Sequence, residues 1–305
     1  MTGKASSTVV LFLGRTNRNS VASKLSTMTA SPDLYCVLGN PIAHSRSPWI
    51  HTRFAELTGE RMRYESRLVP VDSFAQALAQ LTEEGVRGCN VTVPFKREAA
   101  ALANQRSQRV QLAGAANTLS LSAGTVQADN TDGLGLVADI TRGAGFDLAG
   151  RDVLLIGAGG AAAGALGALL AAGPRRIVLV NRTLATAQAL VAAHAELAVL
   201  QKVELLAHGL QGLEQDFDLV INASASSLGG TGVPVSAQVL RRGGLAYDMM
   251  YGPDAEGFVQ WARAAGAQAR DGLGMLVEQA AEAFFIWRGV RPPATQVLAE
   301  LRVMR

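Results

Sequence analysis

One stretch constrains the fold of this 305-residue chain more than any other. Gly157-Ala158-Gly159-Gly160-Ala161-Ala162 follows the apolar run 152–156 directly and opens an alanine-rich helical segment that Gly173-Pro174 closes. The first glycine permits a tight turn, the second lets backbone approach a pyrophosphate, and Ala162 stands where helix meets strand. Backbone N–H groups at the start of that helix face an anion, helped by the helix dipole. A second strand, 176–180, falls where a βαβ unit needs it. The stretch therefore reads as a dinucleotide site in which Gly157, Ala158, Gly159, Gly160 and Ala161 contact the cofactor.

The residues after the second strand bear on which dinucleotide. NAD sites usually place Asp or Glu there for the ribose 2′-hydroxyl. This chain has Asn181-Arg182-Thr183 instead, and a guanidinium can pair with a 2′-phosphate through a charge-assisted fork. The reading is NADP, with NAD left open, because a cation repels NAD less than a carboxylate repels NADP. Arg182 also reads as a solvated residue and Thr183 as the N-cap of the next helix.

The same alternation runs along the chain from residue 34. Strands are expected at 34–38, 63–69 and 88–93, with helices at 47–58 and 72–84 between them. Ser47 reads as an N-cap with Pro48 at the first helical position, and Pro94 as the opening of a further helix. Residues 117–121 and 125–129 form a hairpin around Ala123-Gly124. After the glycine turn come strands at 203–206, 218–222 and 245–249, then helices at 273–288 and 293–303. The expected architecture is two α/β domains, the first built on a mostly parallel sheet.

Composition excludes several classes. Apolar residues are 49% and charged residues 17%, enough to bury two cores and too few charges for a disordered chain. No apolar run approaches the 18 residues of a membrane helix. The two cysteines, Cys36 and Cys89, lack metal-ligand spacing, so no metal is expected, and their scarcity fits a reducing, cytoplasmic setting. Residues 1–32 hold Lys4, Arg15, Arg18 and Lys24 with no acid, so the formal charge of +3 becomes −1 without them. The basic balance belongs to a tail and not to a nucleic-acid surface. That tail has some transit-peptide composition, but reads better as a disordered or over-extended start, with translation beginning at Met28.

Reducing a ketone by hydride builds negative charge on oxygen, which needs a proton donor or a cation there. Polar residues cluster beside the expected strand ends of the first domain: Ser45, Ser47, Asn90, Thr92, Lys96, Asn117 and Asp132. Each also has an ordinary reading, Ser47 and Asp132 as helix caps and Lys96 as a solvated first-turn residue. His44 and His51 read as structural. Spacing alone does not bring Lys96 to Asp132.

The motifs, taken in order, resemble those of the shikimate dehydrogenase family. They are the stretch from Gly39 to Pro48, Asn90-Val91-Thr92-Val93-Pro94-Phe95-Lys96, Gly114-Ala115-Ala116-Asn117-Thr118 and Asp129-Asn130-Thr131-Asp132-Gly133. The glycine turn, Asn181-Arg182-Thr183, Tyr247-Asp248-Met249 and the run from Asp271 to Val277 follow. The resemblance covers residues 34 to 304 and leaves out the tail. It implies an NADP-dependent oxidoreductase that reduces 3-dehydroshikimate to shikimate. By position, Ser45 and Ser47 would hold the substrate carboxylate with Tyr251 nearby, and Asn90, Thr92, Asn117 and Gln279 would bond ring oxygens. Lys96 would be the acid/base and Asp132 would orient it, while Met249 and Gly274 would line the nicotinamide. Gln279 shares a helical stripe with Met275, Ala283 and Ile286, an odd place for an amide without a partner.

Two departures stand out. Thr186 takes the place where many relatives carry a second basic residue, and Gly252-Pro253 follows Tyr251 without the usual Thr-Pro. Other readings are a quinate/shikimate dehydrogenase of the same family and a non-catalytic dinucleotide sensor. The expected layout is a substrate-binding domain at 33–131 plus 272–305 and an NADP-binding domain of Rossmann type at 132–271. The expected partners are a small molecule and a nucleotide, with no nucleic acid and no membrane, in a monomer or homodimer.

Overall fold

A computed structural model describes residues 31–213, 216–224 and 232–304. The expectation for the tail lies, up to residue 30, outside the described residues. The first half runs β1 (Asp33–Gly39), α1 (Ser47–Thr58), β2 (Met62–Leu68), α2 (Phe74–Glu83), β3 (Gly88–Val91) and α3 (Lys96–Leu102). It continues with β4 (Gln105–Arg106), α4 (Gln108–Ala113), β5 (Thr118–Ser122), β6 (Thr125–Asp129) and α5 (Asp132–Ala138). The second half holds β7 (Asp152–Ile156), α6 (Gly160–Ala171), β8 (Arg176–Val180), α7 (Leu184–Ala193), α8 (Ala195–Gln201) and β9 (Glu204–His208). After it come β10 (Phe217–Asn222), β11 (Leu240–Asp248), α9 (Glu256–Ala264), β12 (Gln268–Arg270), α10 (Leu273–Arg288) and α11 (Ala294–Val303).

The strands form two six-stranded sheets, ordered β2-β1-β3-β5-β6-β4 and β12-β11-β10-β7-β8-β9. In the second sheet every pairing is parallel. Its order, read from β9, is that of a doubly wound dinucleotide fold, with the direction of winding reversing between β7 and β10. Ligands bind beyond the strand ends at such a reversal, and the glycine turn is the segment that leaves β7 there.

The first sheet is mixed. β1 pairs in parallel with β2 and β3, whereas β5 runs antiparallel to both β3 and β6. The expected hairpin at Ala123-Gly124 makes β5 and β6 antiparallel, because it sends the chain back along its own path, while the connection through α3, β4 and α4 returns β5 against β3. Asn90 consequently faces Thr118, and Thr118 faces Asp129. The hairpin and the β3/β5 pairing together gather the end of β3, the start of β5 and the end of β6 at one edge.

Local expectations at element starts need correction. Arg46, not Ser47, is the N-cap of α1, and no side-chain cap bond forms there. Ser47 is already helical and Pro48 follows it within the first turn. β3 ends at Val91, and α3 starts at Lys96 with Phe95 as its N-cap, so Pro94 precedes the helix instead of opening it. The peptide bonds before Pro41 and Pro94 are cis. Asp132 is the first residue of α5, with Thr131 at the N-cap.

The C-terminal helices return to the first sheet. Ile50 and Phe54 of α1 pack with Val277, Ala280 and Phe284 of α10 and Val297 of α11 in one buried cluster. Helix α10 also packs closely along α5. Gly135 makes that approach possible: a Cβ there would lie 2.6 Å from the Gln279 nitrogen, so any larger residue would push α5 off α10.

Candidate active site

A cleft of about 400 Å³ opens between the edges of the two sheets. Ser45, Ser47, Asn90, Thr92, Lys96, Asn117, Asp132 and Gln279 line it, as do Met249 and Tyr251 from the far end of β11 and Ala161 from the glycine turn. Every residue singled out for substrate chemistry is therefore on one wall or the other.

At its centre, Lys96 Nζ lies 2.5 Å from Asp132 Oδ2. Lys96 belongs to the first turn of α3 and Asp132 to that of α5. The ammonium keeps about a quarter of its side-chain surface exposed while the carboxylate is nearly enclosed. A cation half in the cleft beside a buried carboxylate can donate to an oxygen placed against it. The other carboxylate oxygen, Oδ1, accepts from Asn117 Nδ2 at 2.8 Å.

Asn117 is the hub of the polar wall. Its Nδ2 also reaches Gln279 Oε1 at 2.8 Å and Thr131 Oγ1 at 3.0 Å, and its Oδ1 accepts from the Thr131 N–H at 2.9 Å. The amide on the apolar stripe of α10 thus has its partner. With Oε1 engaged, Gln279 presents its Nε2 donors to the cleft. The Ser45 hydroxyl accepts from the Ser47 N–H at 3.3 Å, holding the start of α1 close to Arg46.

Tyr251 is half-buried. Burial pushes its phenol above the ordinary tyrosine value, with the Arg46 cation opposing from the other wall. The hydroxyl therefore stays protonated, able to donate, across neutral pH.

The glycine turn suits a dinucleotide. Gly157 has φ 102°, the left-handed side of backbone space, and a Cβ there would meet the Ser224 nitrogen at 3.0 Å. Gly159 and Gly160 have no such neighbour within 4 Å, which leaves open space where α6 begins and its free N–H groups point. Asn181 and Arg182 follow β8 on the same side of the sheet, with Asn181 Nδ2 donating to Thr183 O at 3.0 Å. Arg182 is exposed and makes no ion pair among the described residues. Thr183 is the N-cap of α7 but makes no side-chain cap bond.

Gly274 departs from its expected place. It lies outside the lining of the cleft, and a Cβ on it would run into the Asp139 carboxylate. Asp139 is a residue that no sequence motif singles out. Buried at a π-helical turn after α5, it accepts from Tyr247 Oη at 2.7 Å and from Arg270 Nε and Nη2 at 2.8 and 2.6 Å. Tyr247 Oη in turn accepts from the Met275 N–H at 3.2 Å, satisfying one of the open donors at the start of α10. This network ties β11 and β12 to both crossing helices directly behind Met249 and Met275.

Two more groups bear on the site. Tyr64 Oη donates to Asn90 Oδ1 at 2.7 Å from beneath the cleft. His51 is fully buried, stacked on Tyr64 with ring centres 4.2 Å apart, and its ring nitrogens make no close hydrogen bond among the described residues, the Asn90 amide being the polar side chain beside it. Burial drives its pKa down to about 3, so it is a neutral core ring, in line with a structural reading. No periodicity or spacing could have flagged Tyr64, because its partner lies on another strand.

Comparison with known proteins follows the same lines. Residues 37–119 match the model of the shikimate dehydrogenase substrate binding domain. Residues 139–229 match that of shikimate / quinate 5-dehydrogenase, and 272–302 that of the shikimate 5′-dehydrogenase C-terminal domain. A shikimate dehydrogenase (NADP(+)) of Acidovorax sp. (strain JS42) is 70% identical over 90% of this chain and 98% of its own. Among solved structures, an Ael1 enzyme from Pseudomonas putida is 44% identical with a TM-score of 0.81, covering 88% of this chain and 98% of that one. The shikimate 5-dehydrogenase of Thermus thermophilus, in complex with NADP(H) and shikimate, is 30% identical with a TM-score of 0.77, covering 89% and 99%.

Proposed function

The chain belongs to the shikimate dehydrogenase family, and from this premise we propose that Lys96 is the acid/base of the reaction and Asp132 its orienting partner. The activity is the reversible, NADP-dependent reduction of 3-dehydroshikimate to shikimate, an oxidoreductase reaction at a CH–OH group. The observation that carries the assignment is the 2.5 Å pair of Lys96 and Asp132 inside the cleft that Ala161 and Met249 also line.

Bound NADPH supplies the hydride. The residues of the chain supply the rest. Ser45 and Ser47 take the substrate carboxylate, next to the Arg46 cation and the Tyr251 hydroxyl. Asn90, Thr92, Asn117 and Gln279 meet the ring oxygens, so an analogue lacking one of them leaves the free acceptor of Asn90 or the free donors of Gln279 unpaired. Lys96 donates a proton to the C3 oxygen as charge builds there, and takes it back in the oxidative direction. Asp132 holds the ammonium at the height of that oxygen and accepts from the neighbouring hydroxyl. Gly157 to Ala161 hold the pyrophosphate, Asn181, Arg182 and Thr183 the 2′-phosphate end, and Met249 the nicotinamide.

The division of labour follows the sheets: 33–131 with 272–305 binds substrate, 132–271 binds NADP, and the cleft closes between them. With only two cysteines, both buried, the chain fits the cytoplasmic setting that we propose, and we assign neither a nucleic-acid nor a membrane partner to a monomer or homodimer. Steady-state rates with shikimate and quinate, each with NADP and NAD, test the reading. Shikimate with NADP should give the highest kcat/KM; a higher value for quinate with NAD would replace it with the quinate/shikimate reading.

A further inference from the structure

We infer that Tyr64 is a positioning residue for the substrate pocket, whose hydroxyl clamps Asn90 so that this amide meets the substrate as a single acceptor. The inference rests on the functional reading above and deepens it.

A side-chain amide has two donor hydrogens and two acceptor sites on its oxygen. Around Asn90 close hydrogen bonds use three of the four, with the neutral His51 ring bordering the amide. Nδ2 donates to the main-chain oxygen of Asn117 at 3.1 Å and to Thr118 Oγ1 at 3.2 Å, and Oδ1 accepts from Tyr64 Oη at 2.7 Å. All of these bonds are buried. The opposite amide orientation would set Oδ1 against the Asn117 carbonyl, two acceptors face to face, so the main chain fixes its sense. What remains for the cleft is one lone pair on Oδ1.

A lone pair recognises only a donor. The reacting oxygen is a ketone in the oxidised substrate and carries no hydrogen, so Asn90 cannot serve it in both directions. It reads a ring hydroxyl present in substrate and product alike, while the Lys96 ammonium, a pure donor, serves the reacting oxygen. Tyr64 is well placed to hold this arrangement. Its ring is buried, lies parallel to His51, and packs near Trp287. Without the phenol hydroxyl, Asn90 Oδ1 would keep an unmet buried acceptor and the amide would lose its third anchor.

A double-mutant cycle on the full chain tests this, with shikimate and NADP in steady state and NADP binding followed by nucleotide fluorescence. Tyr64→Phe is expected to raise KM for shikimate about tenfold, the scale of one buried hydrogen bond. Its kcat should stay within about twofold, with the Kd for NADP unchanged. In an Asn90→Ala background the same change should alter KM less than about twofold, because the amide through which Tyr64 acts is gone. Equal losses in both backgrounds would overturn the proposal, since they would mean a merely structural role.

Should Tyr64→Phe fail to fold, proton exchange in the unsubstituted protein decides. The Tyr64 hydroxyl proton and both Asn90 Nδ2 protons should exchange slowly with and without shikimate; fast exchange of any of them would overturn it. An unsubstituted enzyme inactive on shikimate would defeat the functional reading instead, and shows before any variant is made.

Discussion

Lys96 and Asp132 stand 36 positions apart in the chain and 2.5 Å apart in space, the ammonium reaching from the first turn of one helix to the carboxylate in the first turn of another. Replacing Lys96 by Ala should cut kcat at least ~10²-fold, the usual scale for a general acid. Its cofactor affinity should be unaffected, because the glycine turn lies on the other wall. Single-turnover rates with a parallel NADP titration measure both; near-normal turnover would remove Lys96 from the chemistry.

Arg182 is exposed beyond β8 without an ion pair among the described residues, and Thr186 adds no second cation nearby. Arg182→Ala should raise KM for NADP about fivefold to tenfold, as for loss of one partly solvated charge-assisted bond. KM for NAD should stay the same. Parallel saturation curves with the two nucleotides give the answer, and equal changes for both would deny Arg182 the 2′-phosphate.

His51 makes stability depend on pH. Its pKa is held at about 3 by burial, below the ordinary 6.5. The unfolded chain therefore binds a proton that the folded one refuses, and stability falls as pH drops from 6.5 towards 3. Between pH 7.5 and 5 this one ring should cost about 2 kcal/mol. Urea unfolding of the parent and of His51→Phe at both pH values isolates it: the loss should be smaller in the variant, and equal losses would mean that the ring does not resist protonation in the folded state.

Gly135 sits against Gln279 where α5 crosses α10. Gly135→Ala forces a methyl group into that contact and should cost ~1–3 kcal/mol of stability, the range for overpacking a close interface. It should also lower kcat, since Asp132 and Gln279 ride on the two helices being separated. Thermal unfolding and turnover, measured together, check the pair of effects. A variant with unchanged Tm would show that the helices have slack.

Much of this was legible in the chain. Strand 152–156, the helix after it and strand 176–180 could be placed because turn chemistry and apolar runs agree locally, and the hairpin at Ala123-Gly124 because two β-rich runs flank a turn pair. The identity of the polar residues on the cleft came from resemblance; their meeting did not follow from spacing. It depends on β5 running back along β3, a pairing between strands distant in sequence. Tyr64 with Asn90, and Asp139 with Tyr247 and Arg270, leave no trace in the sequence for the same reason. Each is a bond between elements, and neither end looks unusual alone. Gly274 faces Asp139 and not the cleft, and a glycine in a motif does not reveal which neighbour needs the missing Cβ.

The return of α10 and α11 to α1 has a consequence for synthesis. Ile50 and Phe54 emerge from the ribosome more than two hundred residues before Phe284 and Val297, which complete their cluster. The second sheet, whose strands end at Arg270, can close while the chain is still being made. The N-terminal half must wait with an uncovered apolar face until the last helices are released, and that interval is when a nascent chain of this topology most needs shielding by chaperones.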